Sequence, residues 1–225
     1  MKISAVTFDV GGTLIEPWPS VGHVYVEVAA RNGVRNIPPE LLDGRFKAAW
    51  RAQKDFAYTR AAWAELVDQV FRGLCHKPPS ETFFADLYEH FAQPAAWRMF
   101  DDVLPVLDRL ATQGIRLGII SNWDERLKVL LRRLRLENYF EAIVISCEVG
   151  FTKPSPVIFE QAAEKLGLPS AAILHVGDSM EMDVQGAKSA GLVARRIRRG
   201  AATGSGEEIN SLAGLPATIA GHKLP

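Results

Sequence analysis

Four stretches of the chain carry residues whose types suit chemistry on an anion. They are Asp9 with Gly11, Gly12 and Thr13 in "FDVGGTLI", Ser121 and Asn122 in "IISN", Lys153 in "GFTKPSP", and Asp178 and Asp183 in "HVGDSMEMD". Each follows an apolar run, so each falls where a buried strand would end. In open α/β sheets ligands bind beyond the carboxyl ends of the strands. Convergence of the four ends would gather one leading carboxylate, a hydroxyl, an ammonium and a further pair of acids. Three carboxylates crowded together repel unless a cation sits among them, and hard oxygen ligands that leave room for water and substrate suit Mg2+. Glycines beside Asp9 let a backbone carbonyl turn inward and let a substrate approach closely. Ser121 and the amides opening the next helix can hydrogen-bond an anionic group. Lys153 adds a compact positive charge that offsets the acids and the substrate.

The elements that must position these groups are visible as hydrophobic periods. Five short apolar runs rich in β-branched residues, "ISAVTF", "IRLGII", "AIVIS", "AILHV" and "LVARRI", predict buried strands. The last four alternate with helical stripes, namely Val103, Val106, Leu107 and Leu110, then Leu127, Leu130, Leu131 and Leu134, then Phe159, Ala162, Ala163 and Leu166. Ser155-Pro156 supplies a cap and a first-turn proline for the last of them. The expected fold is therefore α/β, a doubly wound, Rossmann-like parallel sheet covered on both faces. Between Ile15 and about Arg98 only helical patterns occur, and Pro38-Pro39 and Pro78-Pro79 are expected to start helices there. Val21, Val24, Tyr25, Val28 and Ala29 form one stripe; Trp63, Leu66, Val67, Val70 and Leu74 form another. This predicts a helical cap at 16–98, above Asp9, inserted into a core made of 1–15 and 99–225. An insert of roughly 80 residues suits a small bundle. "GAATGSGEE", after Arg199, reads as a loop before a short closing segment.

Composition narrows the function classes. The 225 residues are 48% hydrophobic and 23% charged with a net charge of zero, as in an ordinary globular protein. Neutrality argues against nucleic acid or an anionic membrane as partner. The basic stretch "RRIRR" is expected to be the solvated end of an edge strand. Cys75 and Cys147 make neither a disulfide framework nor a metal-ligand spacing, which fits a reducing compartment. No run approaches the ~18 apolar residues of a membrane helix, and "MKISAVTFDV" reads as a strand broken by an acid rather than a signal peptide, so the expected location is the cytoplasm. Monomer and homodimer fit the sequence equally. His175 reads as a satisfied core histidine, Asp124 as a cap, and Asp183 as a metal ligand or an N-cap. Trp50 and Trp63 read as core, whereas Trp18 is the better candidate to face a ligand.

"FDVGGTL", "IISN", "KPSPVIFEQA" and "HVGDSMEMDVQGAKSAG" resemble, in order and spacing, the four motifs of the haloacid dehalogenase (HAD) superfamily, and the helical insert resembles its C1 cap. "FKAAWRAQ", "LYEHFAQPAAW" and "ISNWDERL" look similar to the subgroup of haloacid-dehalogenase-like hydrolase domain-containing protein 3. The resemblance implies a hydrolase with Asp9 as covalent nucleophile. It also implies that Thr13, Ser121 and Asn122 position the transferring group and that Lys153 stabilises it. Asp9, the Gly11 carbonyl, Asp178 and Asp183 would hold Mg2+, Asp183 through water or directly. The implied partner is a small phosphorylated or activated substrate. One position departs from the pattern: phosphatases of this superfamily carry a second aspartate two residues after the nucleophile, where this chain has Gly11. That leaves open a catalytically impaired binding protein and a 2-haloacid dehalogenase, although the retained "GDSMEMD" favours phosphoryl transfer. "DVGGT" also resembles the phosphate loop of sugar kinases in the actin-like ATPase superfamily. Those need two such domains and leave Lys153 and "GDSMEMD" unexplained.

Overall fold

The computed structural model describes residues 2–201 and 208–221. Strand β1 (Ala5–Phe8) has all four residues buried, as a strand covered on both faces requires. The chain then runs through β2 (Ile15–Pro17), α1 (Val21–Arg31), α2 (Pro39–Arg51), α3 (Arg60–Phe71) and α4 (Phe84–His90) to β3 (Trp97–Met99). From there the chain runs through α5 (Val103–Thr112), β4 (Arg116–Ser121), α6 (Arg126–Arg133), β5 (Ala142–Ile145), α7 (Ser146–Val149), α8 (Pro156–Lys165), β6 (Ile173–Gly177), α9 (Gly186–Ser189), β7 (Val193–Ile197), β8 (Glu208–Ile209) and α10 (Leu215–Gly221).

Six strands form one sheet in the order β5-β4-β1-β6-β7-β8, and every pairing is parallel. The expected α/β fold with a Rossmann-like parallel sheet and flanking helices is the one observed. The chain builds outward from β1 in both directions, so the topological switch lies where β1 is flanked by β4 and β6. Phe8 stands opposite both Ile119 and Val176. The residues just beyond them therefore leave the sheet along one edge, where such folds bind ligands.

Two compact units are present. One comprises Met1–Ile15, Met99–Glu125 and Arg135–Pro225, and the other Glu16–Arg98 with Arg126–Leu134, so that α6 groups with the helical stretch. In the first unit Ala5, Ile120 and Val144 of the sheet bury against Ile158, Phe159 and Ala162 of α8. In the second, Val24, Tyr25, Val28, Leu66, Val70 and Phe71 share a core. There the Tyr25 ring lies 5.7 Å from Phe71 and 6.0 Å from both Phe46 and Phe91. Trp50 and Trp63 stack at 5.6 Å within an aromatic cluster packed against this core, in keeping with their reading from sequence. Pro39 opens α2 and Pro79 opens a single 3-10 turn, also as expected.

Three differences have plain causes. β2 and β3 pair with each other inside the stretch read as wholly helical; three residues are too few for a period of two to show. β7 is not an edge strand, because β8 pairs beside it, and the arginines of "RRIRR" are engaged accordingly. Arg196 and Arg198 reach Glu208, and Arg199 is largely buried against Asp102. β8 is two residues long, again below the reach of a pattern. The loop expected at "GAATGSGEE" falls mostly on 202–207, outside the described residues.

Candidate active site

Asp9 continues from β1 by donating its backbone N–H to Val176 O at 2.9 Å. The chain then closes a tight turn in which the amides of Thr13, Leu14 and Ile15 all converge on the Val10 carbonyl. Gly11 and Gly12 lie in this turn. Gly12 has φ +74°, a left-handed conformation that glycine takes without strain. A Cβ added there would also stand 2.7 Å from Asp178 Oδ2, so the glycine makes room for the acid.

Ser121 ends β4 and donates its hydroxyl to Asp9 Oδ1 at 2.9 Å. Lys153 donates from Nζ to the same oxygen at 2.7 Å and to Asp183 Oδ1 at 2.5 Å. Both donors to Asp9 thus fall on Oδ1, and among the described residues none reaches Oδ2. The lysine is 3% exposed. Burial opposes its charge, but the carboxylates of Asp183 and Asp9 hold its pKa above the ordinary range. Asn122 spends both ends of its amide on the lysine's backbone: Nδ2 donates to Lys153 O at 3.0 Å, and Lys153 N donates to Oδ1 at 2.7 Å. It fixes the loop that delivers Lys153.

Asp183 is not an N-cap. Ser179 caps, and Asp183 sits inside the single π-helical turn Met180–Gln185 that follows. The wider turn aims its carboxylate back at the sheet: Ser179 N donates to Oδ2 at 2.9 Å. A Cβ on Gly177 would overlap that carboxylate, at 2.1 Å from its carbon. His175 Nε2 lies 3.2 Å from Asp183 Oδ1 and its Nδ1 lies 3.0 Å from Thr7 Oγ1. A carboxylate only accepts, so Nε2 carries the proton and Nδ1 accepts from the threonine hydroxyl. Burial lowers the pKa of His175, which favours this neutral form over the charged one. His175 is the satisfied core histidine expected, with the added task of orienting Asp183. Burial penalises the charge of Asp183, yet the Lys153 ammonium and the His175 bond hold its carboxyl well below the usual range.

Asp9, Asp178 and Asp183 each offer an oxygen within 4.8 Å of the other two. Such close hard oxygens fit a divalent cation. The electrostatics agree: partial desolvation by the surrounding protein first, then the charges of Asp9 and Asp183, raise the Asp178 carboxyl to about 7. Asp178 stays exposed, so water screens part of that repulsion. Burial likewise raises Asp9, with Lys153 opposing.

Of the residues singled out from sequence, Asp9, Ser121, Lys153 and Asp183 meet directly, and Asp178 joins them through the acid cluster. Thr13 is fully buried, and its hydroxyl has no hydrogen-bond partner among the described residues. Asp124 is fully buried. Trp18 is exposed, with the Arg98 guanidinium 3.6 Å above its ring. Sequence reasoning missed Arg199. Its Nη2 donates to Thr13 O at 2.6 Å, while Nη1 binds both oxygens of Asp102 at 2.8 and 2.7 Å. That contact ties the Asp9 turn to residues far along the chain, and no local motif announces it.

A family model described as haloacid dehalogenase-like hydrolase matches residues 3–191. The chain is 33% identical over 199 residues to haloacid dehalogenase-like hydrolase domain-containing protein 3 of Danio rerio, covering 83% of this chain and 81% of that protein. It is 31% identical over 211 residues to the glyceraldehyde 3-phosphate phosphatase of Methanopyrus kandleri, covering 88% and 85%. Among solved structures, the HAD phosphatase from Thermococcus onnurineus superposes with a TM-score of 0.70 at 26% identity, over the whole of both chains. Among the described residues, no helix is long and apolar enough to cross a membrane.

Proposed function

Because this chain belongs to the haloacid dehalogenase-like hydrolase family, we propose that it is a Mg2+-dependent, phosphatase-like hydrolase acting through Asp9 on a small phosphorylated or otherwise activated substrate. The observation that carries this reading is the arrangement at Asp9: Ser121 and Lys153 hold Oδ1, leaving Oδ2 clear to attack. Oδ2 attacks phosphorus, and the bond to the leaving oxygen breaks with its electron pair staying on that oxygen. Water then attacks phosphorus, the Asp9–phosphorus bond breaks, and the carboxylate is restored as phosphate and a proton depart. Lys153 offsets the negative charge that gathers as the bonds exchange. Thr13 carries a hydroxyl with unused hydrogen-bonding capacity, which supports a part in holding the transferring group. Mg2+ bound by Asp9, Asp178, Asp183 and the Gly11 carbonyl would polarise the phosphoryl oxygens and neutralise the crowded acids. His175 and Ser179 keep Asp183 oriented for that role.

Gly11 supplies no proton to the leaving oxygen. General acid–base help is worth ~10²–10⁴-fold, so esters with poor leaving groups should react slowly and aryl or acyl phosphates should suffer least. The glyceraldehyde 3-phosphate phosphatase relative supports phosphoryl chemistry, but its substrate is an alkyl ester, which makes the leaving group the quantity to measure.

The test is a panel of acyl, aryl and alkyl phosphates and 2-haloacids, with Mg2+ present or chelated, for the natural chain and Asp9→Asn. Mg2+-dependent phosphate release that Asp9→Asn abolishes is expected. Undiminished turnover in Asp9→Asn rejects the nucleophile, metal-free halide release makes the enzyme a dehalogenase, and binding without turnover of any compound makes it a binding protein.

A further inference from the structure

The position two residues past Asp9 is a glycine for no backbone reason, since Gly11 is not among the glycines with positive φ. What stands beside it is an aromatic ring. A Cβ built on Gly11 would lie 3.4 Å from Cζ3 of Trp123, ordinary van der Waals contact. Hydrogen bonds fix the backbone that carries the ring. Trp123 N donates to Ser146 Oγ at 3.0 Å, and Ser146 Oγ returns a bond to Trp123 O at 3.1 Å. Cys147 N donates to the same carbonyl at 3.3 Å. The two preceding residues are also pinned, Ser121 to Asp9 and Asn122 to the backbone of Lys153. Trp123 therefore leaves a rigid segment, half-buried, beside the glycine that takes the place of an acid.

We propose that Trp123 is a specificity-determining residue that walls the leaving-group side of the site and packs against a planar, apolar leaving group, selecting phosphate esters of aromatic alcohols. The inference rests on Asp9 as the reacting group and deepens that reading by naming the substrate class. The two features agree chemically. Without a proton donor the leaving oxygen must depart as an anion, which a phenol does far more readily than an alkanol. The indole offers such a ring an offset or edge-on contact, and aromatic pairs gain ≈ 0.5–1.5 kcal/mol beyond burial. At 1.4 kcal/mol per tenfold, that is roughly a two- to twelvefold preference.

The experiment titrates the full-length protein with phenylphosphonate and with methylphosphonate by calorimetry in Mg2+, neither ligand being able to transfer its phosphorus. In parallel it measures kcat and KM for phenyl phosphate and acetyl phosphate. The natural chain should prefer phenylphosphonate by about two- to twelvefold. Trp123→Ala and Trp123→Leu should bring the two phosphonates within about twofold, and Trp123→Phe should keep most of the preference. The phenyl phosphate KM should rise in parallel while acetyl phosphate kinetics hold. Absence of a phenyl preference in the natural chain, failure to bind either phosphonate, or a preference that survives in folded Trp123→Leu overturns the proposal. Turnover that persists in Asp9→Asn would sink the nucleophile reading instead and leave the phosphonate comparison standing.

Discussion

Lys153→Met replaces an ammonium by a thioether on a stem of similar length, and so removes charge with little change in packing. In the native site Nζ is shared between Asp9 Oδ1 at 2.7 Å and Asp183 Oδ1 at 2.5 Å, in a side chain only 3% exposed. Its loss leaves two buried carboxylates with hydroxyl, amide and imidazole donors but no cation, and with Asp178 within 4.8 Å. Breaking a buried ion pair by removing one partner costs ~3–5 kcal/mol, because the surviving charge stays desolvated. For a chain of this length each kcal/mol moves Tm by roughly 2–4 °C. The variant should therefore melt about 6–20 °C lower in EDTA. Differential scanning calorimetry suits the measurement, since two compact units can give two transitions. Added Mg2+ should raise the variant's Tm by more than the natural chain's, as a second source of positive charge among the acids. Combining Lys153→Met with Asp183→Asn should cost less than the sum of the single changes by about 0.5–3 kcal/mol, the range for residues in contact. A single variant within 2 °C of the natural chain in EDTA (less than ~1 kcal/mol) or strictly additive costs would show that these charges are not compressed together, and the reasoning about the site would fall with them.

Three further outcomes are expected. Asp178→Asn should raise Tm slightly in EDTA, by relieving like charge at an exposed position, and should remove most of the stabilisation that Mg2+ confers; a thermal-shift titration shows both signs. Gly12→Ala should cost about 1–2 kcal/mol for a left-handed side chain. It should also weaken Mg2+ binding by pushing on Asp178 Oδ2, 2.7 Å from the new Cβ; unchanged affinity by calorimetry would contradict the cradle. Asp102 is desolvated, yet bonds from Arg199, Ser211 and Leu212 keep its carboxyl below the usual range. A depressed carboxyl stabilises above its unfolded pKa of ≈ 3.9 and loses that contribution as pH falls toward the folded value. Asp102→Ala should thus cost about 2–3 kcal/mol at pH 7 and progressively less as pH falls below ≈ 3.9, measured by urea unfolding across that range.

Much of the fold was legible because hydrophobic period reports burial, and burial is what elements share. The runs at β1, β4, β5, β6 and β7 were buried enough to read, and the stripes on α5, α6 and α8 marked the faces they bury. β2, β3 and β8, at two or three residues, carried too few alternations to be seen. Asp9 and Asp178 could be picked out because each directly follows a strand, where a charge interrupts an apolar run, and Lys153 and Asp183 because they lie on the segments that lead from a strand end into a following helix.

What each charge meets was decided only by the tertiary structure. Local pattern could not show that Lys153 bonds Asp9, 144 positions away, or that Arg199 reaches back 186 positions to the Thr13 carbonyl. Nor could it show that His175, an apparent core residue, splits its two nitrogens between Thr7 and Asp183. A wide π turn, capped by Ser179 rather than by Asp183, aims Asp183 at the sheet. The ring of Trp123 stands on the flank of Gly11 in a segment whose backbone is bonded to Ser146, just past a different strand. The amino-acid order by itself determined which groups would be lifted to one edge of a parallel sheet, since that follows from burial repeated every two or four residues. Their pairing depends on hydrogen bonds with a reach of about 3 Å, and only packing of the whole sheet brings distant strand ends within that range.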